Sequence, residues 1–344
     1  MSRRTVASMS EMNRQWLLAS RPQGRVKREN FEWKEEPVSA VGDGQFLVRN
    51  LWLSCDPAQR AWMEMDTYIP MLPLGEVMLS GAVGEVVESN HPGFDVGDLV
   101  TGTFGWQDYA LSDGGAGIFP VTKVPPGVDP ATALSLLGIT GLTAHIGLLE
   151  IGQAREGDTV VVSGAAGSVG SFVVQIARTK GMRAIGIAGG PRKCEWIRDE
   201  LGADGAIDYK NDDVAARLAE LCPDGIDVFF DNVGGGILDA ALGRLAMRAR
   251  VVICGAIAGY EDFEGRTGIR NHHELILRRA TMRGFLVLDH MELVPSAITD
   301  LATWAAEGKL KNKVDVVEGL ENTPAAFMRL FSGENLGKQL VKIA

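Results

Sequence analysis

The sequence predicts an α/β protein with a doubly wound parallel sheet and a second, β-rich domain. Two textures along the chain support this prediction. Residues from about 14 to 130 are short apolar runs broken by Gly, Pro and Asp, which is typical of strands joined by turns. From about residue 132, apolar runs alternate with segments of helical periodicity, which indicates βαβ units and therefore parallel strands.

The predicted elements of the second region begin with a long apolar helix over 131–150. The strands that follow it are placed at 159–162, 183–190, 206–209, 227–233 and 249–257. The helices between these strands are placed at 171–178, 191–201, 212–221 and 236–245. After about residue 308 the sequence returns to a β-like texture, so we expect the end of the chain to rejoin the β-rich domain.

Length and charge limit the classes of function. The chain has 344 residues, enough for two domains with separate cores. Its formal net charge of −10 is opposite to the basic surface that nucleic-acid phosphates require, so we expect no nucleic-acid partner. The uncharged run that starts at Thr159 is long enough to span a bilayer, but its glycines divide it into short elements. We therefore expect no membrane segment.

Residues 159–178, TVVVSGAAGSVGSFVVQIAR, predict a strand, a glycine turn and a helix. The first turn of a helix has N–H groups without partners and a partial positive charge, so it stabilises an anion. Gly164, Gly167 and Gly170 favour close approach of a dinucleotide pyrophosphate. The fit to G-x-G-x-x-G is imperfect, because Ala165 stands where the first glycine is expected. Close packing of the helix is an alternative reason for these glycines.

The residues after the second strand favour NADPH over NADH. A site for NADH places a carboxylate about 20 residues beyond the glycine turn, where it accepts from the ribose 2′-hydroxyl. The sequence there is IAGGPRK, which contains Arg192 and Lys193 and no carboxylate. A 2′-phosphate would be stabilised by these cations. The alternative is that both are solvated surface residues.

The cysteines predict neither a metal centre nor a disulfide framework. Cys55, Cys194, Cys222 and Cys254 have no paired spacing, which fits a reducing compartment, and we expect a cytoplasmic protein without a metal site. The N-terminal MSRRTVASMS is Arg- and Ser-rich, but Glu11 interrupts it, so we interpret it as a loose extension and not as a transit peptide.

Several motifs together make the chain similar to the zinc-free medium-chain dehydrogenase/reductases. More narrowly, it resembles the prostaglandin reductase and leukotriene B4 dehydrogenase family with its bacterial curcumin-reductase-like members. The motifs are NRQWLLASRPQG, LSCDPAQRAWM, LGEVM, VSGAAGSVGS, DNVGG, ICGAIAGY, GFLV and ENLGKQLV. The resemblance implies a GroES-like catalytic domain at 1–132 and 308–344 and a dinucleotide-binding Rossmann domain at 133–307. The Gly-His-Glu motif and four-cysteine lobe of the zinc-dependent relatives are absent from the sequence.

The resemblance also implies which residues bind NADP(H). It assigns Lys193 and Tyr209 to the 2′-phosphate, Asn232 and Asn335 to polar contacts, and the backbone around Phe285 and Val287 to the nicotinamide amide. The remaining expected contacts lie in the glycine turn and after the fifth strand: Gly164, Ala165, Gly167, Ser168, Val169, Gly170, Cys254 and Tyr260. Packing or helix capping is the alternative role for Asn232 and Phe285.

The family pattern implies reduction of the C=C bond of an α,β-unsaturated aldehyde or ketone. Hydride reaches the β carbon, and Tyr260 donates to, or orients, the ribose hydroxyl that meets the enolate oxygen. Many family members have Asp-Pro-Tyr where this chain has Asp-Pro followed by Ala58, so Tyr68 and Trp106 are our candidates to fill the substrate pocket. A quinone reductase and a non-catalytic NADPH-binding redox sensor remain alternatives. A homodimer is the family expectation.

Overall fold

The structure, a computed structural model, describes residues 12–115, 117–261 and 268–344. The N-terminal extension predicted from MSRRTVASMS lies outside these residues. Up to residue 134 most of the regular elements are strands: β1 Met12–Leu18, β2 Phe31–Pro37, β3 Phe46–Ser54, β4 Gly81–Ser89, β5 Leu99–Thr103, β6 Tyr109–Ser112 and β7 Thr122–Lys123. Two short helices, α1 Ala58–Trp62 and α2 Pro130–Leu134, accompany these strands.

Strands and helices alternate through the middle of the chain. The helices are α3 Ile139–Ile146, α4 Ser168–Thr179, α5 Pro191–Asp199, α6 Val214–Leu221, α7 Gly235–Leu242, α8 Glu274–Arg278 and α9 Val294–Ala306. The strands are β8 Thr159–Ser163, β9 Arg183–Ala188, β10 Gly205–Asp208, β11 Ile226–Asp231, β12 Leu245–Ile253 and β13 Thr281–Gly284. The C-terminal elements are β14 Val314–Glu318, α10 Thr323–Ser332 and β15 Lys338–Lys342.

The chain divides into two compact units. The first contains residues 12–134, 315–334 and 339–344, and the second contains 135–314 and 335–338. The sequence prediction put the boundaries at 132/133 and 307/308, and the structure divides the chain at 134/135 and 314/315. The segment 335–338 was predicted to lie in the first unit, but it packs with the second.

The first unit contains a β-sheet with strand order β14-β15-β3-β4-β5-β7, to which β6 adds by pairing with β3. The pairings from β15 to β7 are antiparallel. Its core is rich in aromatic side chains, among them Trp16, Phe46, Trp106 and Phe327. This unit is the β-rich domain that the sequence predicts.

The second unit is built on a parallel sheet with strand order β10-β9-β8-β11-β12-β13. Each adjacent pair is parallel, and the central β8 is buried from Val160 to Ser163. The doubly wound α/β prediction is therefore confirmed. Five of these strands were predicted, and β13, with the sequence TMRG, was not.

The long helix predicted over 131–150 is wrong, because two separate helices, α2 and α3, occupy this segment. The helical conformation is interrupted at Gly138, which has an extended backbone (φ −99°, ψ −164°). Gly141 lies so close to the preceding chain that a Cβ on it would be 1.9 Å from the carbonyl oxygen of Leu136. The break therefore depends on two glycines inside an otherwise apolar run.

The C-terminal segment also differs from the prediction, because α10 lies inside the stretch that was read as β-like. Gly333 ends this helix in the left-handed region (φ +68°), as is common at helix C-termini. In the described part of the chain, we find no helix with the length and apolar character that crossing a membrane requires.

Candidate cofactor site

The predicted glycine turn joins β8 to α4 in the middle of the parallel sheet. Gly164 has a φ of +60°, and Gly167 caps α4 with an extended backbone. A Cβ on Gly170 would lie 2.3 Å from the carbonyl oxygen of Gly164, so only glycine lets the helix approach the turn this closely. Gly170 therefore has a packing role. Close packing of the helix was one of the two reasons that the sequence offered for these glycines, beside the approach of a pyrophosphate.

Ala165 occupies the position where the motif expects a glycine. Its side chain is fully buried, and its N–H donates to the carbonyl oxygen of Ile187 on β9 at 3.0 Å. A Cβ built on Gly186 would lie 2.9 Å from the Cβ of Ala165. The glycine on the neighbouring strand leaves the space for the alanine methyl, so the departure from the motif is compensated locally.

The first turn of α4 offers the donors that an anion needs. The N–H groups of Ser168, Val169 and Gly170 lie in this turn, where helix geometry provides no carbonyl partner. Gly164, Gly167, Ser168 and Val169 are partly accessible to solvent. The turn therefore fits a dinucleotide pyrophosphate at this end of the sheet.

A buried carboxylate, that of Asp231 at the end of β11, holds the loops around this turn. Its Oδ1 accepts from the Ser163 hydroxyl at 2.6 Å and from the Val233 and Gly234 N–H groups at 3.0 Å. Burial raises the pKa of Asp231, while these donors oppose the shift. Sequence reasoning passed over this aspartate, and its place at the end of a buried strand was the available signal.

Asn232 lies directly beside the glycine turn. Its N–H donates to the Ser163 hydroxyl oxygen at 2.8 Å, and its side-chain amide donates to the Ser163 carbonyl oxygen at 2.7 Å. A Cβ on Gly164 would lie 3.4 Å from the Cβ of Asn232. The helix-capping alternative for Asn232 is not seen, because Gly234 is the N-cap of α7.

Tyr209 and Lys210 lie against the backbone that follows β9. A Cβ built on Gly189 would be 2.9 Å from ring atoms of Tyr209 and from Cε of Lys210. Gly190 has a φ of +93° and precedes α5, whose first turn carries exposed Arg192 and half-buried Lys193. Lys210 was not proposed from the sequence, although it follows the predicted Tyr209 directly.

The carboxylate of Asp208 at the end of β10 already accepts hydrogen bonds from N–H groups of the neighbouring loops. Its Oδ1 accepts from the N–H of Gly190 at 2.7 Å and from that of Lys210 at 3.1 Å. Burial alone would raise the pKa of Asp208, but these bonds and the Asn211 amide outweigh it and lower the pKa. With the Asp208 oxygens so occupied, the arginine and lysines of this region fit a 2′-phosphate better than a ribose hydroxyl.

The loop that follows β12 brings Cys254 and Tyr260 to the same edge of the sheet. The N–H of Cys254 donates to the carbonyl oxygen of Asp231 at 2.8 Å, and the N–H of Ala258 donates to that of Val233 at 3.1 Å. The Tyr260 hydroxyl accepts from the N–H of Ala256 at 3.3 Å and is partly accessible. Burial, with a smaller contribution from Asp231, raises the pKa of Cys254 to about 12, so this thiol stays protonated.

Phe285 and Val287 follow β13, and their side chains belong to the core. Val287 is 6% exposed, and the Phe285 ring lies edge-on to Phe230 with a centroid distance of 6.4 Å. The alternative that Phe285 is a core residue therefore describes its side chain. The predicted contact with nicotinamide involves the backbone of this segment and stays a prediction.

Asn335 lies in the short segment 335–338 that packs with the second unit. Its side-chain amide donates to the carbonyl oxygen of Gly337 at 3.0 Å. The Gly337 N–H in turn donates to the carbonyl oxygen of Ala166 at 2.8 Å. This segment is thus hydrogen-bonded to the glycine turn itself. A polar contact from Asn335 to a cofactor stays a prediction.

The two substrate residues predicted in the first unit have different environments. Tyr68 is 45% exposed, and its ring lies edge-on to Trp62 with a centroid distance of 6.1 Å. Trp106 is 0% exposed and packs against Phe31 and Phe327 in the core of this unit. The expectation that Trp106 fills a substrate pocket is therefore wrong, because no part of the side chain reaches the surface. Ala58 is the first residue of α1.

No group of three or more His, Cys, Asp or Glu residues is arranged to hold a metal ion within the ranges that the structure describes. All four cysteines of the sequence are free thiols. Cys55, Cys194 and Cys222 are buried, and Cys254 is half-buried.

Comparison with known proteins matches the chain to two family models. Residues 14–121 match the N-terminal domain of oxidoreductase, and residues 168–304 match the model described as zinc-binding dehydrogenase. The chain is 39% identical to the NADPH-dependent curcumin reductase of Escherichia coli, over 98% of this chain and 99% of the relative. It is 35% identical to the NADP(+)-dependent 2-alkenal reductase of Nicotiana tabacum, over 96% and 98% of the two chains.

A solved structure with the same fold contains the expected cofactor. The crystal structure of Vibrio vulnificus CurA in complex with NADPH has a TM-score of 0.91 and 40% identity, and it covers 96% of this chain and 99% of its own. These similarities confirm the family that the sequence motifs predicted. The chain belongs to the medium-chain dehydrogenase/reductases, within the family of NADP-dependent double-bond reductases.

Proposed function

We propose that this protein reduces the C=C bond of α,β-unsaturated aldehydes and ketones with NADPH. As a member of its family it is an NADP-dependent oxidoreductase. The observation that carries the proposal lies at the end of β9, where Arg192 and Lys193 open the next helix and the nearby Asp208 carboxylate already accepts from the Gly190 N–H. The relative from Nicotiana tabacum is named for 2-alkenals, which are substrates of this chemical class.

The reaction adds two hydrogens in different forms. NADPH, when bound, supplies a hydride for the β carbon, and a solvent proton then reaches the α carbon. The C=C π bond breaks, the substrate gains two electrons, and the negative charge passes through the carbonyl oxygen as an enolate. The protein must therefore hold the dinucleotide and provide a hydrogen-bond donor for the enolate oxygen.

Three parts of the second unit support binding of the dinucleotide. The N–H groups at the start of α4 suit the pyrophosphate. Lys193 and Tyr209 are the residues that we propose for the 2′-phosphate, with Lys210 added because its side chain lies beside Tyr209 at Gly189. Asn232, Asn335 and the backbone around Phe285 complete the proposed contacts.

Tyr260 is the residue that we propose to stabilise the enolate oxygen, by donating to or orienting the hydroxyl that meets it. The phenol accepts a hydrogen bond from Ala256, which uses an oxygen lone pair and not the phenolic proton. An accepted hydrogen bond polarises the hydroxyl and makes it a better donor. The position of Tyr260 in the loop after β12 supports this role.

For the substrate we propose Tyr68 as a contact in the first unit. Its ring has an accessible fraction of 45%, whereas the buried Trp106 is removed from the proposal. Ala58 stands where many family members have tyrosine, so we propose that this chain accepts substrates that are bulky near the enone.

We also propose a homodimer formed through β13. This strand is the outer strand of the parallel sheet, and all four of its residues are exposed. An exposed edge can pair with another strand. The neighbouring α8 presents Ile276 and Leu277, which are 76% and 56% exposed, and such an apolar surface is typical of an interface.

The remaining proposals concern partners and location. We propose that activity is independent of zinc, since the sequence lacks the motifs of the zinc-dependent relatives. A net charge of −10 supports the absence of a nucleic-acid partner. Four free thiols support a reducing compartment and hence the cytoplasm.

The proposed function is tested by NADPH oxidation with a 2-alkenal, an α,β-unsaturated ketone, a quinone and no acceptor. We expect turnover with the first two and saturated carbonyl products, with one deuterium at the α carbon when the reaction runs in D₂O. Turnover restricted to the quinone would make the protein a quinone reductase. NADPH binding without turnover of any acceptor would support a redox sensor instead.

A further inference from the structure

Asp231 connects the carboxyl ends of three adjacent strands, β8, β11 and β12, through its carboxylate and its backbone carbonyl. The carboxylate reaches the end of β8 through Ser163 and the loop after β11 through Val233 and Gly234. The backbone carbonyl oxygen accepts from Cys254 and Gly255 in the loop after β12. We infer that Asp231 is a positioning residue that sets the geometry of the NADPH-binding loops and thereby the affinity for NADPH. This inference rests on the proposed function.

The hydrogen bonds to the Asp231 side chain all point toward its carboxylate oxygens. The N–H of Asn232 donates to the Ser163 oxygen, so the Ser163 hydroxyl proton is left to point at Asp231. The Val233 and Gly234 N–H groups can only donate. Every side-chain contact of Asp231 therefore needs an acceptor. A side-chain amide keeps one oxygen, but it would place an N–H against the Gly234 N–H that the second oxygen accepts.

The loops held by Asp231 have little freedom to find another arrangement. Gly234 has a φ of +75°, which favours glycine, and a Cβ on Gly255 would lie 3.1 Å from the carbonyl oxygen of Asn232. Asn232 is in turn fixed to the carbonyl oxygen of Ser163 and contacts the glycine turn. A displaced Asp231 side chain would therefore shift Asn232 and the pyrophosphate turn together.

The same pair of strands offers a matched control at its opposite end. Asp227 near the start of β11 accepts from the N–H of Thr159, the first residue of β8, at 2.9 Å. Like Asp231, it is an aspartate of β11 that bonds to β8. Unlike Asp231, it lies at the amino end of the strands, away from the glycine turn. Asp227→Asn therefore measures the effect of removing a carboxylate charge from a strand-to-strand contact alone.

The test compares Asp231→Asn and Asp227→Asn with the wild type by titration calorimetry with NADPH and by steady-state kinetics with a 2-alkenal. Removing the charge and one acceptor oxygen from a buried, hydrogen-bonded carboxylate changes an equilibrium by about tenfold or more, so we expect the Kd and KM for NADPH to rise by that factor in Asp231→Asn. The KM for the alkenal should be unchanged. In Asp227→Asn we expect both NADPH constants to stay within about twofold, because its hydrogen bond is distant from the proposed site.

The outcomes separate this inference from the proposed function. A folded Asp231→Asn protein with the wild-type Kd for NADPH would overturn the inference, as would an equal loss of affinity in Asp227→Asn.

Where Asp231→Asn does not fold, Ser163→Ala carries the test, since it removes only the hydroxyl bridge. It should raise the Kd for NADPH by about threefold or more, and a wild-type Kd would again overturn the inference. A wild-type protein that binds no NADPH would overturn the proposed function and this inference together.

Discussion

The N–H of Gly190 donates a 2.7 Å hydrogen bond to Oδ1 of Asp208, and this bond joins the loop after β9 to the end of β10. It fixes the start of α5, on which Lys193 lies, beside the segment that carries Tyr209 and Lys210. We therefore propose that the choice of NADPH over NADH depends on side chains held in place by a carboxylate that does not itself have to meet the cofactor.

Lys193→Ala should raise the KM for NADPH and leave the KM for NADH nearly unchanged. A charge-assisted contact to a phosphate is worth about 1.5–3 kcal/mol, which corresponds to about 10- to 100-fold in affinity. Lys210→Ala tests the cation that only the structure revealed, and we expect a smaller change of the same kind. Lys180→Ala, an exposed lysine beyond α4, is the control. Equal effects on both cofactors would remove Lys193 from the phosphate site.

Asp208→Asn should lower the melting temperature at neutral pH, and the difference from the wild type should shrink in acid. The pKa of Asp208 is lowered in the folded protein, so its stabilising effect is present above its ordinary value of 3.8 and is lost as the pH falls through the folded-state value. Loss of its hydrogen bonds should cost about 1–3 kcal/mol.

Thermal unfolding of Asp208→Asn at pH 7, 5, 3.5 and 2.5 provides the measurement. Asp199→Asn, which alters an exposed carboxylate on α5, is the control. A difference from the wild type that stays constant down to pH 2.5 would show that the Asp208 charge does not stabilise the fold.

The fold was largely predictable because most of its strands and helices have clear signals in the local sequence. The strand Thr159–Ser163 ends within one residue of the prediction, since a β-branched run meets a glycine there. β13 was missed because TMRG contains neither an apolar run nor an alternation. The helix over 131–150 was wrong because its apolar periodicity hides the extended backbone at Gly138.

The site was predictable only in part, because its closest contacts depend on the order of strands in the sheet. Ser163 and Asp231 are 68 residues apart in sequence, and they meet because β8 and β11 are neighbours. The sequence places Ser163 directly after one predicted strand and Asp231 within another, but it does not show that these strands are adjacent. Trp106 illustrates the same limit, since its burial follows from packing that the local sequence does not reveal.

Prolonged chelation should leave the reductase activity unchanged. The sequence lacks the zinc motifs of related dehydrogenases, and the described residues include no cluster with three suitable ligands. The measurement is NADPH oxidation with a 2-alkenal after incubation with EDTA and 1,10-phenanthroline and then dialysis. Activity that falls and returns on addition of Zn²⁺ would refute independence from zinc.

A charge on the outer strand of the parallel sheet should weaken the proposed homodimer. Met282 on β13 is 39% exposed. A lysine there places a charge at the sheet edge that would contact the second copy in the proposed dimer. We expect Met282→Lys, and more strongly Met282→Lys with Ile276→Glu, to shift the protein to the monomer in light scattering. Val96→Lys, at a 61% exposed position of the first unit, is the control. A wild-type protein that is already monomeric would refute the dimer.

Tyr260→Phe should lower kcat and kcat/KM together while the affinity for NADPH changes little. A contact that strengthens as charge develops on the enolate oxygen acts in the transition state, so its loss appears in both constants. Removing one direct donor of this kind costs on the order of 10²-fold, and we expect a smaller loss if another hydroxyl lies between Tyr260 and the oxygen. A tyrosine that only packs would keep its ring in the variant, and kcat would stay within about twofold.

If Tyr260 instead delivered the α proton as a general acid, the wild type would lose activity near the pKa of its phenol, and the variant would lack this pH dependence. Measuring kcat for an α,β-unsaturated ketone across pH in both proteins distinguishes these roles, and an unchanged kcat in the variant would refute the catalytic assignment.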